Sequence, residues 1–175
     1  MVIREATQFD VDAVEQGYNE LLTYEKEHGS TSNWVLGIYP TRAVAEKSCL
    51  EKTLYVLVED DAICASMILN QFQAEEYQKI EWRYPAHPKE VLVIHTLCIP
   101  PTRSRKGFGK EMVDFAIAKA QQMCCKAIRL DTWVENKPAI SFYKKLGFQY
   151  AGKASVLLQG LIQEEQVFLE REMKL

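Results

Sequence analysis

The sequence predicts an α/β fold in which a mixed sheet is flanked by helices, and three observations support this prediction. Short apolar strands and amphipathic helices follow one another in the order βααβββ, βα, βα, ββ. In the second half, strands run through short turns into helices, as in β–α units. The composition, 47% hydrophobic and 26% charged, is typical of a globular protein. With 175 residues and no linker or repeat, the chain is predicted to form one domain, residues 1–175.

The N-terminal part is predicted to hold one strand and two helices. Val2–Glu5 is predicted to be a short strand, and Thr7 with Asp10 has the form of a capping box at a helix start. Apolar residues then keep helical spacing: Val11, Val14, Tyr18, Leu21 and Leu22. Gly29 is expected to end this helix, and a second helix, capped by Thr41, is predicted to reach about Leu50.

Two antiparallel strands and an irregular segment follow. The strands are predicted at 54–59 and 63–71, around an acidic turn. The next stretch, 72–89, contains Pro85 and Pro88, which exclude a continuous helix or a central strand. Long connections of this kind are usually functional or disordered. Two interpretations stay open here: an ordered flap near an acceptor, and a plain surface hairpin.

The stretch from 91 to 123 has the pattern strand, turn, helix. A strand at Val91–Ile99 leads through two prolines and a basic loop to Gly107-Phe108-Gly109, where a helix begins. Glycines let the backbone approach a ligand closely, and the N–H groups at a helix start attract phosphate. Four cations lie within eight residues: Arg103, Arg105, Lys106 and Lys110. These features predict a pyrophosphate-binding turn, with an ordinary glycine-rich turn as the alternative.

The C-terminal part is predicted to hold a strand, a helix and a hairpin. The strand spans Ala127–Val134. Asn136 is in position to cap the helix that follows, Pro138 lies in its first turn, and Gly147 ends it. The closing hairpin has predicted strands at 148–156 and 165–172.

Two motifs in this order form a recognisable pair. One is the strand–loop–helix pattern x-x-Gly-x-Gly at 105–109, and the other is Asn-x-x-Ala-x-x-Phe-Tyr-x-x-x-Gly-Phe at 136–148. The dinucleotide fingerprint would need a glycine where Met112 stands. The pair resembles the acetyl-CoA site of the GNAT superfamily of N-acetyltransferases. This resemblance implies the GNAT fold, a largely antiparallel central sheet of about seven strands flanked by about four helices.

The resemblance also implies an activity, the transfer of the acetyl group of acetyl-CoA to a primary amine by direct attack in a ternary complex. The acceptor is expected to be a small molecule, because the aromatic, proline-broken segments 30–40 and 72–88 favour a closed pocket. Two alternatives stay open: an acyl-CoA-binding sensor without turnover, and an N-acetyltransferase of peptides or proteins. Many members of the family form dimers, so a homodimer is a further expectation. The aromatic candidates for acceptor binding are Trp34, Tyr39 and Trp82.

The resemblance assigns the backbone of Leu97, Cys98 and Ile99 to the thioester and pantetheine arm of acetyl-CoA. The pyrophosphate is assigned to a continuous loop: Ser104, Arg105, Lys106, Gly107, Phe108, Gly109 and Lys110. The family often has Arg or Gln where Ser104 stands, so the side-chain partners of the phosphates stay open. They include Arg103, Arg105 and Lys106, whose alternative role is that of solvated surface charges. Asn136 is expected both to cap its helix and to bind the cofactor.

Tyr143 stands where the family has its general-acid tyrosine and is expected to protonate the leaving thiolate. An ordinary phenol, with a pKa of about 10, is protonated at neutral pH. The alternative is a packing role.

The base is expected to be His95, which by alternation shares the strand face of Leu97 and Ile99. An ordinary histidine pKa near 6.5 suits proton transfer, although a hydrogen-bonded core histidine is the alternative. Glutamates of the irregular segment are further candidates: Glu75, Glu76 and Glu81. A covalent route through Cys98 lacks a partner His and Asn/Asp arrangement, so packing is expected there.

Bulk properties exclude several other classes. A net charge of −3 argues against a general nucleic-acid binder, which needs a basic surface. The five cysteines have neither C-x-x-C nor metal-ligand spacing, so we expect reduced thiols and no metal. The N-terminus lacks an apolar signal region, and no run reaches membrane-spanning length. A cytoplasmic protein without membrane contact is the expectation.

Overall fold

The structure is a computed structural model that describes residues 1–174. Its strands are β1 Val2–Glu5, β2 Leu54–Glu59, β3 Ala62–Asn70, β4 Val91–Cys98, β5 Ala127–Trp133, β6 Gln149–Leu158 and β7 Ile162–Glu172. Its helices are α1 Val11–His28, α2 Arg42–Leu50, α3 Phe108–Gln122 and α4 Lys137–Lys145. The strands form one mixed sheet in the order β1-β2-β3-β4-β5-β7-β6, in which β4 and β5 run parallel. The predicted α/β fold is therefore confirmed.

The described residues divide by their contacts into two compact units. The first comprises Met1–Ser30, Trp34–Leu69 and His95–Ala116. Its apolar core joins the inner stripe of α1 to α2 and to β2: Ala6, Val11, Val14, Tyr18, Ala45, Cys49, Leu54, Val56, Ile68 and Cys98. Burial of each large side chain of this kind stabilises a fold by roughly 1.5–3 kcal/mol. The spacing that predicted α1 is thus the spacing of a core-facing stripe.

The second unit comprises Thr31–Asn33, Asn70–Ile94 and the chain from Ile117 onward. Its sheet is built by β5, β6 and β7, with β7 antiparallel to both neighbours. The parallel pairing of β4 with β5 joins Val91–Val93 to Ala127–Arg129. A second apolar cluster lies here: Tyr77, Ile80, Val91, Val93 and Phe168. That the whole chain is one domain stays a prediction.

The predicted capping box before α1 is confirmed. The carboxylate of Asp10 accepts hydrogen bonds from the Thr7 backbone N–H and the Thr7 hydroxyl at 2.7 and 2.9 Å. The box opens a 3-10 turn, Gln8–Asp10, which leads directly into α1. The Arg4 guanidinium also donates to Asp10, at 2.7 and 2.9 Å, and this bond lowers the pKa of the Asp10 carboxyl to about 2. The N-terminus of α1 is therefore fixed by an ion pair as well as by its cap.

The predicted start of α2 and its N-cap position are confirmed, but the cap lacks a side-chain hydrogen bond. Thr41 occupies the N-cap position, and its side chain makes no capping hydrogen bond. Its backbone carbonyl accepts from the N–H groups of Val44 and Ala45, at 3.0 and 3.3 Å. Gly29 ends α1 as predicted, with φ at 101° and its N–H bonded to Glu25.

The irregular segment between β3 and β4 is ordered and contains no strand from 71 to 90, so the surface-hairpin interpretation is wrong. It contains two short 3-10 helices, Glu75–Lys79 and Pro88–Glu90. The prolines act as expected, since Pro88 opens the second of these helices. Within residues 1–174, no helix has both the length and the apolar character that crossing a membrane requires.

Candidate functional site

The end of β4 alternates as predicted. Thr96 and Cys98 are buried, whereas His95, Leu97 and Ile99 are half-buried. The three residues assigned to one face therefore share the same degree of exposure. This agrees with a face that is left open for a ligand.

Thr96 interrupts the regularity of β4. Its φ of 49° lies in the left-handed region, which is strained for a β-branched residue. The hydroxyl of Thr96 is hydrogen-bonded to the Tyr39 hydroxyl, and the ring of Tyr39 packs edge-on against Trp34 at 5.7 Å. Strain of this kind is frequent at functional sites. The predicted acceptor residues Trp34 and Tyr39 thus lie in one aromatic group that is bonded to β4.

Cys98 is buried, and its Sγ lies 3.7 Å from the Gly17 carbonyl oxygen. Burial raises the pKa of the Cys98 thiol far above its ordinary value, with the charges of Glu20 and Glu25 adding to the effect. A protonated thiol is a weak nucleophile. The environment agrees with the expected packing role.

The predicted phosphate loop is open and basic. Ser104, Arg105, Lys106 and Gly107 are exposed. Arg105 and Gly107 have positive φ values of 63° and 87°, which turn the backbone sharply before α3. Such alternation of left- and right-handed residues can direct successive N–H groups at an anion. This conformation suits a pyrophosphate, whose binding by the loop stays a prediction.

The cations of this loop differ in their surroundings. Lys110 pairs with Asp114 at 2.5 Å, one turn along α3, and this bond raises the pKa of the Lys110 ammonium. Within residues 1–174, Arg105 and Lys106 form no ion pair. The half-buried Arg103 also forms none among the described residues, so all three cations remain candidates for binding a phosphate.

The predicted start of α4 is confirmed. The Asn136 side-chain oxygen accepts from the Ala139 N–H at 3.2 Å, and its amide nitrogen donates to the Thr132 hydroxyl at 3.2 Å. The helix ends at Lys145, and Gly147 follows with φ at 86°. Asn136 is therefore a cap that also joins α4 to β5, and its contact with the cofactor stays a prediction.

Tyr143 lies on α4 and is 7% exposed. Its ring packs edge-on against Phe142 and Phe148, at 5.1 and 5.4 Å between centroids. Burial raises the pKa of the Tyr143 phenol well above its ordinary value, and the charge of Asp131 raises it further. The phenol therefore stays protonated at neutral pH. Its proton is also held more tightly than the ordinary pKa of about 10 implies.

One pair of residues in the second unit was missed by sequence reasoning. The hydroxyl of Tyr77, in the 3-10 helix Glu75–Lys79, donates to Oδ1 of Asp131 on β5 at 2.5 Å. Burial raises the pKa of the Asp131 carboxyl to about 6. The available signal was the presence of two charged residues, Arg129 and Asp131, in a largely buried strand. The partner of Asp131, 54 residues away, could not be read from local sequence.

The ordered segment 72–88 is fastened to the sheet of the second unit by two buried charges. Glu170 is 0% exposed and accepts from the backbone N–H groups of Arg83 and Tyr84, at 2.6 and 3.5 Å. The Arg129 guanidinium donates to the side chain of Gln73 at 2.8 Å and to the Tyr84 carbonyl at 3.1 Å. These bonds hold the segment without using the Tyr77 hydroxyl.

Trp82 takes part in the same set of contacts between the segment and the sheet. The Arg129 guanidinium carbon lies 4.0 Å from the centre of its ring, and its indole N–H donates to the Tyr77 carbonyl at 2.9 Å. The ring is half-buried against Tyr77 and Phe168. Its predicted contact with the acceptor stays a prediction. Of the glutamates proposed as bases, Glu75 and Glu81 are exposed, whereas Glu76 is near enough to raise the pKa of Asp131.

The sequence model of the acetyltransferase (GNAT) family matches residues 16–148, about three-quarters of the chain. The chain belongs to the GNAT family. It is also similar to an uncharacterized N-acetyltransferase of Methanocaldococcus jannaschii, with 35% identity over 68 residues. That match covers 39% of this chain and 30% of the relative, so it spans less than a third of the relative's length.

Solved structures of this family have the same fold. A GNAT-family acetyltransferase from Streptococcus agalactiae superposes with a TM-score of 0.83 at 20% identity, over 99% of this chain and 96% of that one. A protein assigned as an acetyltransferase from Salmonella typhimurium, solved with its cofactor acetyl-CoA, superposes with a TM-score of 0.68 at 15% identity. That superposition covers 99% of this chain and 94% of the other. Within residues 1–174, no group of three or more His, Cys, Asp or Glu is arranged to hold a metal ion.

Proposed function

We propose that this GNAT-family chain transfers the acetyl group of acetyl-CoA to the primary amine of a small molecule, by direct attack in a ternary complex. The observation that carries the proposal is Tyr143. It is a buried, protonated phenol at the motif position of the family's general acid. A module that only binds acyl-CoA has no need of a proton donor beside sulfur.

The donor acetyl-CoA is held in this proposal by backbone groups. The strand end Leu97–Ile99 supplies amide groups to the pantetheine arm, which carries amides of its own. The loop Ser104–Lys110 supplies N–H groups to the pyrophosphate, since its left-handed residues turn the chain sharply and leave it exposed. Arg103, Arg105 and Lys106 supply positive charge to the phosphates.

Tyr143 supports the departure of the CoA thiolate. Because burial raises the pKa of its phenol, a free tyrosinate is disfavoured. The phenol therefore stabilises the departing sulfur by donating a hydrogen bond. It passes its proton to sulfur only as it is resupplied with the proton that the attacking nitrogen loses. This relay replaces the simple matching of phenol and thiol pKa values that the sequence suggested.

The acceptor side is formed in this proposal by Trp34, Tyr39 and Trp82, with His95 as the base predicted from the sequence. The T-shaped contact of Trp34 with Tyr39 and the bond of Tyr39 to Thr96 support an ordered aromatic wall. An ordered wall favours a small acceptor over a protein segment, which needs an open groove.

The proposal is tested by a screen of amine acceptors that follows the release of free CoA from acetyl-CoA. We expect turnover with small primary amines, and N-acetylated product identified by mass spectrometry. Acetyl-CoA binding without turnover for any amine would favour the sensor alternative. Turnover confined to peptide amines would favour a peptide or protein N-acetyltransferase.

A further inference from the structure

Asp131 lies in surroundings that an aspartate rarely occupies. It is half-buried on β5, and one carboxylate oxygen, Oδ1, accepts the Tyr77 hydroxyl at 2.5 Å. Within residues 1–174, no ion pair involves this carboxylate, and Oδ2 makes no hydrogen bond. Placing a carboxylate away from water without a cation is expensive. A group kept there at such a cost is a candidate for chemistry.

The charged and titratable groups around Asp131 make this cost larger. Glu76, beside Tyr77 on the 3-10 helix, and Glu164 on β7 both raise its pKa by their negative charge. Tyr143, on α4, responds to the charge of Asp131. Among the described residues, the hydrogen bond from Tyr77 is the one influence that lowers the pKa of Asp131. Arg129 acts on Tyr77 rather than on the carboxylate.

A purely structural role explains the pair poorly. The segment that carries Tyr77 is already held by Glu170, through two backbone N–H groups, and by Arg129, through Gln73 and Tyr84. An asparagine side chain could accept the same hydrogen bond from the Tyr77 hydroxyl, without the penalty of placing a charge away from water. A negative charge is useful where a positively charged group has to be received.

We propose that Asp131, oriented by Tyr77, is the group that receives the acceptor ammonium and takes its proton before acetyl transfer. This inference rests on the proposed function and deepens it. Asp131 would be a catalytic residue that touches the acceptor nitrogen through Oδ2. Tyr77 would be a positioning residue that occupies Oδ1. Asp131 then takes the role for which the sequence indicated His95.

Asp131 and Tyr143 carry the two protons that the acceptor nitrogen loses in this step. Oδ2 accepts one proton from the ammonium, and the freed lone pair of nitrogen attacks the thioester carbonyl carbon, forming the C–N bond. The carbonyl π pair moves to oxygen and returns as the C–S bond breaks, and the bonding pair leaves on sulfur. The nitrogen loses a second proton, which reaches sulfur through the Tyr143 hydroxyl. Protonated Asp131 then releases its proton to solvent, so that one amide, one thiol and one proton are formed.

Asp131 and Tyr143 have the acid–base behaviour that this step needs. A carboxyl with a pKa of about 6 is ionised at neutral pH and is a stronger base than an ordinary aspartate. The pKa of the Tyr143 phenol is raised as well, so that it remains an acid at every physiological pH. Two neighbouring groups whose environments separate them into a base and an acid are typical of proton-transfer sites.

The test compares Asp131→Asn, Asp131→Glu and Tyr77→Phe with the wild type, through the pH dependence of kcat/KM for an amine found by the screen. Asp131→Asn should lower kcat/KM on the order of 10²-fold at pH 8 and abolish the acidic limb near pH 6. Asp131→Glu should restore part of the rate. Tyr77→Phe should keep the limb and move it to higher pH, because the bond that lowers the pKa of Asp131 is lost.

Exposed residues of the same type serve as controls. Glu165→Gln removes an exposed carboxylate of β7, and Tyr150→Phe removes the hydroxyl of a tyrosine of β6 that is 47% exposed. Both should leave the profile unchanged. Acetyl-CoA affinity, measured by calorimetry, should be the same in every variant, which separates lost chemistry from lost folding.

The unfavourable outcomes are distinct from one another. An Asp131→Asn variant as active as the wild type would overturn the assignment of Asp131 alone. The same holds if His95→Ala, and not Asp131→Asn, removes the acidic limb, because His95 would then be the proton acceptor. If the wild-type protein fails to release CoA with every amine in the screen, the proposed function itself is overturned.

Discussion

The predicted phosphate loop and the Tyr77–Asp131 pair handle charge in opposite ways. The loop, in the first unit, exposes Arg105 and Lys106 to water, where a charge needs little support from the protein. The pair, in the second unit, keeps a half-buried carboxylate hydrogen-bonded to a phenol, although two glutamates raise its pKa. The exposed loop costs little free energy and suits binding. The half-buried carboxylate destabilises the fold and suits a change of protonation.

The two regions should respond differently to the loss of one side chain. A loop that binds through its backbone and several cations loses affinity in small steps when one side chain is removed. A proton-transfer pair depends on single atoms, so one substitution removes most of its contribution. Substitutions in the two regions should therefore differ in size and in the kinetic constant that they change.

The largest effect is expected at Tyr143. Replacement by phenylalanine keeps the ring packing against Phe142 and Phe148 and removes only the hydroxyl. We expect kcat to fall by about 10²–10⁴-fold, the usual contribution of a positioned acid or base, with acetyl-CoA affinity nearly unchanged. Steady-state kinetics and calorimetry provide the two readouts. Unaltered turnover would remove the acid role from Tyr143 and leave it as a packing residue.

The next effect concerns the free energy of unfolding. The ionised Asp131 carboxylate lowers it, whereas an ion-paired carboxylate usually raises it. The pKa of Asp131 is about 6 in the folded protein, above its ordinary 3.8, so the folded state binds this proton more tightly. The group therefore favours folding least at neutral pH, and stability is regained as the pH falls from about 6 towards 4. At pH 7 the difference corresponds to at most about 3 kcal/mol.

Asp131→Asn should therefore stabilise the protein at pH 7 while it lowers kcat/KM. Because the carboxylate is only half-buried, we expect a gain of about 1–2 kcal/mol in the free energy of unfolding. The gain should shrink at pH 4, where the native aspartate is itself protonated. Urea titrations at both pH values measure it. A loss of stability at pH 7 would show that the charge holds the fold together.

A smaller effect is expected at Gly107. Its φ of 87° favours glycine, so Gly107→Ala adds strain of about 1 kcal/mol and pushes the loop away from its binding conformation. We expect acetyl-CoA affinity to fall by about 5-fold, with kcat at saturation kept. Gly160→Ala is the matched control, since it strains the β6–β7 turn at φ 69° and should leave the affinity unchanged. Equal affinity in the two variants would exclude a role for the loop in binding.

The same contrast explains how much of the molecule the sequence could predict. The starts of β1, β2, β4 and β5, the caps at Thr7 and Asn136 and the turn at Gly107 depend on neighbours within a few residues, and those predictions are correct. The predicted start of β7 at 165 is wrong, because this strand begins at Ile162. Other details depend on context: Thr41 is the N-cap of α2 as predicted, yet its side chain makes no capping hydrogen bond. The Tyr77–Asp131 bond and the support of the 72–88 segment by Glu170 join residues more than 50 positions apart. No local pattern encodes such a partner, so only the fold reveals it.

The smallest effect is expected for the exposed cations of the loop. Arg105→Gln and Lys106→Gln each remove a charge that lies in water, so acetyl-CoA affinity should fall only about 2–3-fold at low salt. The loss should disappear at about 0.5 M salt, because screening at this ionic strength already weakens the contact. Lys26→Gln, an exposed lysine on α1, is the control. A loss that persists at high salt would mean that Arg105 or Lys106 donates a desolvated, directional hydrogen bond to a phosphate. The loop would then resemble the Tyr77–Asp131 pair more than its exposure suggests.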